Sequence, residues 1–114
     1  MATEIVIAQT TSADEAEAEA LARGAVERKL AAGVHIDAPI TAVYWWKSEV
    51  ETAREWRISY MTTTDRLPEL EAWVHEQHPY DVPQWITLPV NGGSTAYLAW
   101  AVEETRASGD RQDI

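Results

Sequence analysis

Polar and apolar positions alternate with two different periods along the 114 residues, and the switches between them mark out the elements. Residues 3–9, "TEIVIAQ", are a short, β-branched apolar run that predicts a buried strand. The stretch "TSADEAEAEALARGAVERKLAA" then spaces Ala18, Leu21, Ala22, Ala25 and Val26 as the apolar stripe of a helix. Ser12 with Glu15 fits a capping box, and Gly33 offers an end to the helix. From Val34 the period becomes two. Val34, Ile36, Ala38, Ile40, Ala42, Tyr44 and Trp46 share one face; His35, Asp37, Pro39, Thr41, Val43 and Trp45 share the other. Pro39 has no N–H for a ladder, which predicts a bulge or an edge there. "KSEVET" reads as a polar turn. Residues 54–62 alternate again, with Trp56, Ile58 and Tyr60 toward the core and Glu55, Arg57, Ser59 and Met61 opposite.

"TTTDRLPELEAWVHEQ" predicts a second helix. Pro68 fits only its first turn, so Thr64 or Asp65 should cap it, and Leu67, Leu70 and Val74 should be buried. "HPYDVP" must be extended, because a residue before proline is pushed out of the helical region. "QWITLPV" reads as a short strand, "NGG" as a turn, and Ser94 as the cap of a third helix, "TAYLAWAVEET". The order β-α-β-β-α-β-α predicts an α+β fold, a ferredoxin-like sandwich of one antiparallel sheet with helices on one face. It makes one domain of residues 1–105, followed by a polar tail, residues 106–114, expected to be disordered.

The hairpin between the second and third strands is too long for that body. Thirteen strand residues, 34–46, span ~43 Å at ~3.3 Å each, whereas a domain of this size has a radius of gyration of ~13 Å. The overhang carries Tyr44, Trp45, Trp46 and Trp56. Large aromatics on an exposed ribbon call for a partner, and the economical one is another copy of the chain.

Composition narrows the chemistry. A formal charge of −10 disfavours nucleic acid and anionic membranes as partners, since both need clustered Lys and Arg. The absence of cysteine excludes disulfides, thiolate metal sites and thiol catalysis. No run approaches a membrane span and "MATEIVIAQT" lacks a basic leader, so a cytoplasmic location is expected. No Ser-His-Asp spacing or phosphate loop stands out; "NGGS" is explained by turn chemistry.

"VERKLAAGVHIDAPITAVYWWKSEVE" and "TTTDRLPELEAWVHEQHPYDVPQWITLPVNGGSTAYLAW" resemble the CutA divalent-cation-tolerance family over residues 3–105. The shared marks are Y-W-W-K, H-P-Y-D-V-P and the Y-L-x-W of the last helix. The resemblance implies a ferredoxin-like homotrimer whose hairpins reach their neighbours, and a role in copper and other divalent-metal homeostasis. The sequence departs from the family at three points. The family's cysteine, a proposed copper ligand, falls at Gly33; a polar residue, usually Asn, is His35; a lysine falls at Met61.

Two readings of a site follow. The first is a non-enzymatic trimeric binding or scaffold protein whose ligand is a divalent ion, copper or zinc, with His35 as the candidate metal ligand. The second is a small-molecule binder or enzyme at the cleft between subunits. There His35, Asp37 and Arg57 would be catalytic, and His35, Asp37, Glu55, Arg57, Tyr80 and Trp85 would form the ligand-binding set. His35 and Asp37 are two apart on one strand face, and a carboxylate beside an imidazole suits either metal binding or proton transfer. His75 and His78 lie one helical turn apart, but two histidines without a third ligand make a weak chelate, and a helix end explains His78.

Overall fold

The computed structural model describes residues 4–106. Its elements are β1 (Ile5–Ser12), α1 (Glu15–Glu27), β2 (Gly33–Ile36), β3 (Ile40–Trp46), β4 (Glu49–Thr63), α2 (Leu67–Gln77), β5 (Ile86–Pro89) and α3 (Thr95–Glu104). The strands run in the order β2-β4-β1-β5, all antiparallel, with β3 prolonging the β2 side along β4. This is a mixed α+β fold. Of the tail, residues 107–114 lie outside the described residues.

Where β1 crosses β4, alternation and burial agree. Ala8, Ile58 and Tyr60 are fully buried with Leu21 and Ala25 of α1 and Leu70 and Val74 of α2. The Tyr60 hydroxyl donates to the Leu21 carbonyl at 3.2 Å, tying helix to sheet. Burial of that hydroxyl pushes its pKa well up, because the phenolate would be desolvated.

Several expectations are corrected. α1 stops at Glu27, not near Gly33, and the cap is Asp14, whose side chain accepts from the Glu17 N–H; Ser12 instead donates to the Glu17 carboxylate. Lys29 N–H donates to Val26 O, and Leu30 N–H to Ala25 O. That is a Schellman ending, with Lys29 in the left-handed position (φ 60°) where glycine is usual. Val26, expected in the buried stripe, is exposed. α2 has Arg66 at its N-cap without a side-chain cap bond, rather than Thr64 or Asp65. α3 does not join the other helices. Leu98, Ala101 and Val102 pack with Ile5, Ala32 and Met61, on the sheet face opposite α1 and α2.

The expected continuous strand 34–46 breaks at residues 37–39, around Pro39. Ile36 pairs with Ile58, but Ile40 pairs with Glu55, so the β2–β3 side carries one extra residue. The series beginning at Val34 is thereby offset, and Trp46 falls opposite Glu49 rather than in line with the even positions of β4. The turn is only Lys47–Ser48, both with positive φ (51° and 69°), as a type I′ hairpin requires. Most of "KSEVET" is strand.

The arm overhangs the body. The radius of gyration is 15.3 Å and the molecule measures 55 × 26 × 24 Å, against ~13 Å expected for a compact chain of this length.

Candidate functional site

The sheet face that carries α3 at one end is open at the other, and the register places the polar residues of that end in rows. Gln9, Ser59 and His35 are lateral neighbours on β1, β4 and β2. The Gln9 side-chain amide donates to the Ser59 hydroxyl at 3.0 Å. His35 is exposed. One row further, the Asp37 N–H donates to the Arg57 carbonyl at 2.9 Å, and Arg57 Nη1 donates to Asp37 Oδ2 at 3.3 Å. Asp37 is therefore the partner of Arg57 and not of His35. Both side chains are close to half exposed (41 % and 46 %), so the pair adds little to stability. Gln9 and Ser59 are additions to the set read from sequence; a lone polar residue inside "IVIAQ" was the available signal for Gln9.

Glu55 and Tyr80 meet elsewhere, past the end of β1. Glu55 is buried, and the Tyr80 hydroxyl donates to its Oε2 at 3.4 Å. Desolvation first, then the Glu55 charge and hydrogen bond, raise the Tyr80 pKa, with Tyr44 and Glu17 adding to it. Trp85 stands apart from this pair. Its ring lies 6.2 Å from Tyr60 and 5.7 Å from His75, against the helix-covered core. Of the six residues read as a ligand set, the structure thus joins two separate pairs and leaves His35 and Trp85 outside both.

The other histidines are engaged. His78 is buried; its Nδ1 accepts from the Tyr80 N–H, so the ring hydrogen sits on Nε2, which donates to the Thr11 carbonyl at 2.7 Å. His75 Nδ1 donates to the Glu71 carbonyl at 2.9 Å. The two rings do not converge on a common ion.

A metal site in one subunit does not fit the donors. Among the described residues no three His, Cys, Asp or Glu side chains come together, while three or more protein ligands are usual for a transition-metal site. A Cβ at Gly33 would lie 3.3 Å from Trp100 Cη2, so a side chain there would need that exposed indole to give by a few tenths of an ångström.

Comparison with known proteins places these features. The family profile described as "CutA1 divalent ion tolerance protein" matches residues 6–104. The divalent-cation tolerance protein CutA of Thermus thermophilus is 38 % identical over 95 residues, covering 83 % of this chain and 92 % of the relative. Protein CutA 1, chloroplastic, of Oryza sativa is 36 % identical over 103 residues, covering 90 % of this chain. The crystal structure of CutA1 from Oryza sativa superposes with a TM-score of 0.88 at 35 % identity, over 92 % of this chain and 96 % of that one. The chain spans between 55 and 62 % of the length of the rice, frog, human and mouse relatives it matches.

Proposed function

The chain belongs to the CutA1 divalent ion tolerance family, and from that premise we propose that it works as a homotrimer of ferredoxin-like subunits, without catalysis, in tolerance of divalent metal ions, copper among them. The strand order supports the ferredoxin-like reading. The observation that carries the assembly is the arm. β3 and residues 49–55 of β4 form a two-stranded ribbon with Val43, Trp45 and Val50 exposed by 64, 73 and 58 %. Such a ribbon is marginal in water, and its unpaired edges invite further strands. Sedimentation equilibrium tests this: a mass near three times 12.8 kDa is expected, and one near 12.8 kDa overturns it.

The ion is cargo in this reading, and copper(I) is a poor one. Soft thiolate selects copper(I), and the chain offers only the thioethers of Met1 and Met61. Zinc or copper(II) at His35, with donors completed by a neighbouring subunit, is the form we propose. Titration calorimetry should show binding that His35→Ala removes. A submicromolar copper(I) constant in a competition assay would contradict the preference.

A second reading, a small-molecule ligand or substrate at the subunit cleft, is favoured by one observation: the Asp37–Arg57 pair lies bare beside His35 on an uncovered sheet face. It differs in requiring binding that Arg57→Gln abolishes in metal-free buffer. We place the protein in the cytoplasm, which cell fractionation tests.

A further inference from the structure

On the other side of the sheet, between the end of α1 and α2, lies an open cavity of about 580 Å³, within the range that holds small organic ligands. Gly24 sets how one wall is packed. A Cβ at Gly24 would lie 2.6 Å from Trp73 Cη2 and Cζ2, so the glycine lets the indole lie directly on the α1 backbone. The Arg28 guanidinium sits 5.1 Å from the centroid of that indole, and its Nη1 donates to the Gly24 carbonyl at 3.0 Å. Arg66, with its side chain only 14 % exposed, is pinned from the other side: Nε donates to the Lys29 carbonyl at 3.3 Å and Nη1 to Glu69 Oε1 at 2.6 Å. Two guanidiniums, each anchored on one flank, therefore line one cavity, with the buried Leu30 and the half-buried Trp73 beside them.

The charges left over define the ligand. Arg28 has no carboxylate partner among the described residues, in a chain with a formal charge of −10. Glu76, one helical turn after Trp73 and exposed, lines the same cavity and has no cationic partner among the described residues. Arg66 is matched by Glu69, which lines the cavity too, so Arg28 and Glu76 are the charges left over. A lone guanidinium would suit any anion, but the field of an acidic protein repels anions and the free carboxylate repels them again. A ligand carrying both charges meets neither objection.

We propose that this cavity is a binding site for a free α-amino acid with an apolar or aromatic side chain. Its carboxylate is held by Arg28 through charge-assisted hydrogen bonds, beside the Arg66–Glu69 pair, its ammonium faces Glu76, and its side chain lies over Leu30 and Trp73. The site is on the helix layer, away from the face and arm invoked for assembly, so it stands or falls independently of the trimer and of metal binding.

The test uses the full chain and the twenty common amino acids, each at millimolar concentration, with the Trp73 indole N–H resonance assigned from a Trp73→Phe sample. The expected result is a saturable shift of that resonance with leucine, isoleucine, phenylalanine or a similar side chain. For the best ligand, the amine lacking its carboxylate and the acid lacking its ammonium are compared. Arg28→Gln should weaken the amino acid and the acid alike, about tenfold or more. Glu76→Gln, on an exposed helix position that leaves the fold intact, should weaken the amino acid and leave the acid unchanged. If none of the twenty moves the resonance, or if the bare amine binds as well as the amino acid, the proposal is overturned.

Discussion

One strand, β4, passes through two different environments. From Trp56 to Thr63 it lies against β1, and its Ile58 and Tyr60 are fully buried under α1 and α2. From Glu49 to Glu55 it pairs only with β3, and most of its residues are exposed. Polarity alternates clearly only in the body half; "EVETARE" reads from sequence as turn and polar chain although it is strand, so periodicity follows burial here and not pairing. Burial needs a covering layer, and this chain provides one for the body alone. Val43, Tyr44, Trp45, Trp46 and Val50 of the arm are therefore left in water by the subunit's own fold, as a contiguous group on one ribbon.

The contrast is broken most forcefully in the body. Leu70 is fully buried between the helices and the sheet. Leu70→Ala should cost ~2–5 kcal/mol, by lost transfer energy and an unfilled cavity. Its loss in melting temperature should be the same at every protein concentration. Dependence on concentration would mean that the body is not stable by itself.

Trp45→Ala probes the arm and should behave differently. With 73 % of the indole exposed in the subunit, truncation removes little internal packing. If another copy covers the arm, the loss appears in association, at ~2 kcal/mol or more per subunit for a buried interface tryptophan. The melting temperature should then depend on dilution more steeply than the parent's. Trp46→Ala should do the same, because the extra residue at 37–39 separates Trp46 from the Val34 face and leaves it 42 % exposed. Matching melting curves for parent and both variants across a hundredfold dilution would show that the arm carries no interface.

What was legible in the sequence follows the same division. The helical and period-two patterns located the elements of the body, because burial there imposes them; in the arm, residues 49–52 read as turn although they are strand. The finer faults have local causes. Lys29 takes a left-handed position that glycine or asparagine usually marks, so the end of α1 carried no signal. α3 has apolar residues on more than one side, and nothing in "TAYLAWAVEE" says which sheet face it will cover. Pro39 did announce a break, but whether it adds a residue depends on the pairing with β4. Within the candidate site, Asp37 and Arg57 were readable as members of one polar face, but with Asp37 beside His35; the pairing of Asp37 with Arg57 depends on the two-residue turn and the extra residue at 37–39. The Glu55–Tyr80 bond joins residues 25 apart through an irregular segment, and the Gly24–Trp73 contact joins two helices. Long-range contacts of that kind have no periodicity to betray them.

Gly24 gives a test in which two effects oppose each other. Replacing a helix-interior glycine by alanine should gain up to ~1 kcal/mol of helix propensity. Here the new methyl would meet Trp73 at 2.6 Å, and the indole is backed by Arg28. Overpacking of this kind costs ~1–3 kcal/mol. Gly24→Ala should therefore be destabilising on balance, and adding Trp73→Leu should reverse the sign. Stabilisation by Gly24→Ala alone, measured by urea denaturation, would show that the indole swings away freely.

The smallest effect compares two left-handed residues, one in each region. Ser48, at the arm's turn, has φ 69°, and Lys29, at the end of α1, has φ 60°. A side chain in this conformation costs ~1–2 kcal/mol relative to glycine, partly offset by the greater freedom that glycine brings to the unfolded chain. At Lys29 the side chain returns something: its Nζ donates to Glu104 Oε1 at 3.2 Å and to the Glu104 carbonyl at 3.3 Å, joining α1 to α3. Ser48 has no such bond among the described residues and sits where type I′ turns favour glycine. Ser48→Gly should stabilise the chain by ~0.5 kcal/mol, whereas Lys29→Gly should give no gain, because relief of strain and loss of the bonds to Glu104 cancel. The gain at Ser48 should also be larger in dilute protein, where the ribbon must hold its own turn, than in concentrated protein, where a neighbour would hold it. Equal gains at both concentrations would indicate that the turn forms without help, and would remove one reason for thinking that the arm needs a partner.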